Sequence, residues 1–68
     1  MLVDYIKDLT ARVQNNLQIR KGNLYLDVYL IDEFFKLVNR NWKSLCNSEI
    51  LPTYMALQKI IVDIIQNS

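Results

Sequence analysis

Between Leu24 and Leu45 the residues Leu24, Val28, Ile31, Phe35, Val38, Trp42 and Leu45 recur at steps of three and four, the spacing that lines one face of an α-helix. A second apolar line, Leu26, Leu30, Phe34 and Leu37, runs beside it. At about 100° of rotation per residue the two together wrap about 200° of a helix, well beyond the arc of about 100° that a surface helix buries. So wide an apolar surface must either pack on two sides within the chain or be shared with another chain.

The chain has few means of reinforcing itself. With 68 residues it forms one domain, over residues 1–68, whose core supplies only about 3–5 kcal/mol of net stability. Chains this small lean on disulfides, a metal or a partner. Cys46 is the only cysteine, so no internal bridge forms. There is no histidine, and one thiol does not make a zinc site, so no metal and no cofactor is expected. A partner is the remaining option.

The other segments show the same helical spacing. Leu2, Ile6, Leu9, Val13 and Leu17 make a first helical face, and a helix over about 2–20 is expected, weakened at Asn15 and Asn16. Arg20 and Lys21 would sit at its negative end, Gly22 would end it, and Asn23 would cap a second helix over about 24–45. A turn at residues 46–51 leads to a third helix over about 52–66, carrying Tyr54, Leu57, Ile61 and Ile64, with Pro52 in its first turn. The fold expected is all-α, a small antiparallel three-helix bundle. The alternative is α+β, with a short hairpin near residues 17–30: Leu24, Leu26, Val28 and Leu30 alternate with Tyr25, Asp27 and Tyr29, and Lys21-Gly22 offers a turn. The helical series runs longer, and a lone hairpin is marginal in water, so the helix is preferred.

Function is read mainly by exclusion. Asp27, Asp32, Glu33 and Asp63 carry no histidine beside them, and Asp32 and Glu33 are spaced to pair with Lys36 on a helix surface, so no enzyme is expected. Cys46 has no base to activate it. Net charge is +1, with acids and bases interspersed, which gives no strong pull towards phosphate or lipid. No apolar run approaches the roughly 20 residues that cross a bilayer, and the first ten residues are too charged for a secretory signal. With a lone thiol this points to a soluble cytoplasmic protein. Few alanines and many isoleucines and asparagines suit the AT-rich coding of a bacterium, phage or plasmid.

The expectation is a non-enzymatic protein-binding module, acting stoichiometrically as a regulator, inhibitor or chaperone-like accessory subunit and self-associating, most simply as a homodimer. The second line of helix two is taken as the surplus. Leu30, Phe34, Leu37 and Met55 are the expected contacts, with Tyr25 and Tyr29 at the rim. The alternative is a dimeric nucleic-acid-binding regulator. Lys36, Arg40 and Lys43 form a basic line, against which count the near-neutral pI and the acids on the same face.

Overall fold

A computed structural model describes residues 1–67. Three helices and one hairpin follow in the order α1 (Leu2–Asn16), β1 (Gln18–Arg20), β2 (Asn23–Tyr25), α2 (Val28–Leu45) and α3 (Leu51–Gln66). The chain is mostly helical, as its dominant spacing requires. The segment expected to extend helix one and begin helix two is instead the hairpin.

The hairpin has local causes. Asn16 donates its side-chain amide to the Arg12 carbonyl at 2.9 Å, which satisfies a last-turn acceptor, and Leu17 then turns extended at φ −65°, ψ 128°. Helix one therefore stops at Asn16, not near residue 20. Lys21 and Gly22 both take positive φ, 53° and 83°. That pair of left-handed residues makes the tight turn whose twist matches two antiparallel strands. The register pairs Gln18 with Tyr25, Ile19 with Leu24 and Arg20 with Asn23. On one face the Arg20 guanidinium stacks over the Tyr25 ring at 4.1 Å, a cross-strand cation–π contact. By strand alternation Leu17 and Leu24 share the other face and pack on the core. The helices supply the burial that an isolated hairpin lacks.

Chain geometry switches from strand to helix at Asp27, so α2 begins at Val28, not at residue 24. The Asp27 carbonyl accepts from Leu30 N–H at 3.0 Å. At the far end of α2 the Asn47 side chain accepts from Glu49 N–H at 2.8 Å, a local turn that hands the chain to α3. Pro52 sits in the first turn of α3, where its missing N–H costs nothing.

One core gathers Ile6, Leu9 and Val13 from α1, Leu26 from the linker, Leu30, Phe34, Leu37 and Leu45 from α2, and Leu57, Ile61 and Ile64 from α3. No polar side chain is buried among the described residues. The folded chain exposes 4819 Å², close to the roughly 4500 Å² expected of a compact monomer of this mass.

Candidate functional site

The wide apolar arc of α2 is divided opposite to the sequence expectation. Leu30, Phe34 and Leu37 are 0%, 5% and 3% exposed, so they are core and not a surface. Of the line expected to be core, the middle is in water: Val28 is 74%, Phe35 49% and Trp42 59% exposed, with Ile31 and Val38 half-buried between them, while Leu45 at its end is buried. The reason is the hairpin. Leu24 belongs to a strand, so it does not start a helical line through Val28, whereas Leu26 is buried and leads directly into Leu30.

Three consecutive residues show how α2 is oriented. Glu33 accepts a hydrogen bond from the Tyr5 hydroxyl of α1 at 2.6 Å, and Phe34 stacks with Tyr54 of α3 at 6.1 Å between centroids. Phe35, another 100° or so further round, lies edge-on to Phe34 at 5.6 Å and half in solvent. The same order holds on α3. Thr53 faces the groove against α1, Tyr54 meets Phe34, and Met55 is exposed. Both outward lines thus border the seam between α2 and α3. On the α2 side lie Val28, Phe35 and Trp42; on the α3 side Leu51, Met55, Val62 and Ile65, spaced by four, seven and three so as to share one helical face. Most of the exposed large apolar side chains among the described residues lie on this outer α2–α3 face.

The remaining predicted residues fall elsewhere. Met55 is on the outer face. Tyr29 is exposed but projects from the far side of α2, alongside Lys36 and Arg40, and Tyr25 is half-buried under Arg20 on the hairpin. Lys36, Arg40 and Lys43 are all exposed, as a basic line requires. Lys36 is paired with Asp32 at 3.0 Å, and the Lys43 amine lies 5.4 Å from the Trp42 ring, so part of that charge is already engaged. Sequence reasoning missed Val28, Phe35, Trp42, Leu51 and Ile65 as surface.

A shallow groove of about 330 Å³ lies between α1 and α3, lined by Lys7, Thr10, Ala11, Gln14, Thr53 and Ala56. It brings together no acid–base pair and no nucleophile. Among the described residues no three His, Cys, Asp or Glu are grouped to hold a metal ion, and no helix is long and apolar enough to cross a membrane. Two titrations are displaced. Tyr5 titrates above the usual phenol value of 10.0, chiefly because its hydroxyl is hydrogen-bonded to Glu33, and burial raises Tyr54. Neither is set in a cleft with a partner that would give it catalytic work. Comparisons with protein-family models, with curated proteins and with solved structures found no match to this chain.

Proposed function

We propose that this chain is a non-enzymatic binding module, an antiparallel three-helix bundle with a hairpin inserted after its first helix, that engages a polypeptide through the outer α2–α3 face. One observation carries the reading: two apolar lines on different helices, Val28–Phe35–Trp42 and Leu51–Met55–Val62–Ile65, border the same seam and stay exposed although the core beneath them is complete. The order α1, neighbour, outside along both Glu33–Phe34–Phe35 and Thr53–Tyr54–Met55 is the one that antiparallel neighbours give.

Binding is stoichiometric. A ridge of large side chains with a shallow seam suits an amphipathic helix laid along it, with aromatic and methionine anchors at the centre and charges at the edge setting orientation. Phe35, Trp42 and Met55 are the anchors, and Asp32, Lys36 and Lys43 form the edge.

A photo-crosslinking benzophenone residue replacing Trp42, in the cell that natively makes the chain, is expected to yield a covalent adduct with a polypeptide. The same residue replacing Gln14, exposed on α1, is expected to yield none. No adduct from position 42 would overturn the reading.

A further inference from the structure

The charges beside the outer face indicate what covers it. Along α2 the ionised residues are sorted: Asp27, Asp32 and Glu33 come first, and Lys36, Arg40 and Lys43 follow. Counted with its N-cap residue Asp27, the helix is neutral in sum but negative at one end and positive at the other. Asp32, Lys36 and Lys43 lie on one flank of the exposed line, next to Val28, Phe35 and Trp42, by the 100° rotation per residue. Asp32 and Lys36 are each more than half exposed, so their 3.0 Å pair leaves both able to meet a second partner.

The exposed line is also symmetric, since Phe35 stands midway between Val28 and Trp42. A second α2 laid antiparallel across it, about a two-fold axis at Phe35, brings each Val28 against the other chain's Trp42. It also brings the acidic end of each helix against the basic end of its mate. In an antiparallel pair the same flank meets itself, so Asp32 of one chain reaches the Lys36–Lys43 stretch of the other. A parallel pair would lay acidic end beside acidic end and basic end beside basic end, and would turn these flanks to opposite sides of the contact. Opposed helix dipoles favour the same arrangement.

We infer that the polypeptide held on the outer face is a second copy of this chain, with its α2 packed antiparallel on the first about Phe35. This rests on the face being a binding surface and adds who occupies it. The lone thiol reports the orientation. About the Phe35 axis the two Cys46 residues are about 33 Å apart along the helices, whereas a parallel pair would place them side by side.

Sedimentation equilibrium of the purified chain tests this. The expected species has twice the 8.1 kDa of one chain. It weakens about threefold to tenfold between about 0.02 and 0.5 M salt and forms no Cys46 disulfide on mild oxidation. Phe35→Glu is expected to weaken it about a hundredfold or more while leaving helicity unchanged. Should Phe35→Glu fail to fold, the surface variants decide. Asp32→Lys alone, and Lys36→Glu with Lys43→Glu, are each expected to be monomeric, and a mixture of the two is expected to dimerise. A monomer of 8.1 kDa even at about 1 mM would overturn the inference, as would a dimer that ignores Phe35→Glu or readily forms the Cys46 disulfide. The position-42 crosslink separates the two readings: an adduct with a different polypeptide and a monomeric pure chain would sink self-pairing and leave the binding face standing.

Discussion

Phe34 and Phe35 are neighbours of identical chemistry whose surroundings differ, so replacing each by alanine isolates the division of the α2 surface. Phe34 is almost wholly buried and stacked against Tyr54. Emptying such a site costs about 3–5 kcal/mol through lost transfer energy and the cavity left behind. That equals the roughly 3–5 kcal/mol that a core of this size supplies, so Phe34→Ala should be largely unfolded at room temperature. Phe35 is half exposed. Burying a phenylalanine completely contributes about 1.5–3 kcal/mol, so half of that, about 1 kcal/mol, is at stake in the monomer. Urea titration followed by far-ultraviolet circular dichroism, at concentrations low enough to exclude association, measures both. Where Phe34→Ala has no folded baseline, Phe34→Leu supplies the value, expected near 1 kcal/mol or slightly above. Equal costs for the two alanine variants, or a larger cost at Phe35, would refute the assignment of Phe34 to the core and Phe35 to the surface.

Other consequences are independent of that one. Lys21 is a non-glycine residue at φ 53°, so Lys21→Asn should stabilise the chain by several tenths of a kcal/mol, and Gly22→Ala, at φ 83° with open space around it, should destabilise it by about 1–2 kcal/mol through backbone strain alone. Thermal melts check both. The Tyr5 hydrogen bond to Glu33 raises the phenol's titration above 10.0 in the folded chain. Its stabilising contribution is therefore whole below pH 10 and is lost as pH rises through the folded value. The stability gap between wild type and Tyr5→Phe should be flat around neutrality and close above pH 10. Replacing Lys36, Arg40 and Lys43 together with glutamine should change monomer stability by less than about 0.5 kcal/mol, since all three are exposed. A salt-sensitive gel shift with duplex DNA, present in wild type and abolished in that variant, would favour the nucleic-acid reading instead.

The helical faces of α1 and α3 were legible because each has a single dominant apolar line: Ile6, Leu9 and Val13 on one, Leu57, Ile61 and Ile64 on the other, all buried. The middle of the chain was harder for a definite reason. Leu24, Leu26, Val28 and Leu30 satisfy strand alternation and helical spacing at once, so neither period wins locally. The Lys21-Gly22 turn and the Asn16 side chain capping the Arg12 carbonyl decide it, and both act through backbone geometry more than apolar pattern. The conformation of Leu24 also decides which face of α2 turns inward. A helix starting at Leu24 aligns Leu24 with Val28, Ile31 and Phe35 and makes that line the core. Once Leu24 is in a strand, Leu26 and Leu30 hold the inward course and the faces exchange. The width of the apolar arc survives the exchange, which is why an exposed surplus was readable while the residues composing it were not. On α3 the buried line of Leu57, Ile61 and Ile64 runs beside a second, exposed line that includes Met55.

Trp42 is the sole tryptophan and stands on the exposed line of α2, so its fluorescence reports on the face directly. In dilute protein its emission should be that of an indole in water and readily quenched by acrylamide. As concentration rises and the outer face is covered, emission should move to shorter wavelength and quenching should fall. An indole already shielded in the dilute monomer, or one whose emission and quenching stay the same at every concentration, would contradict the account.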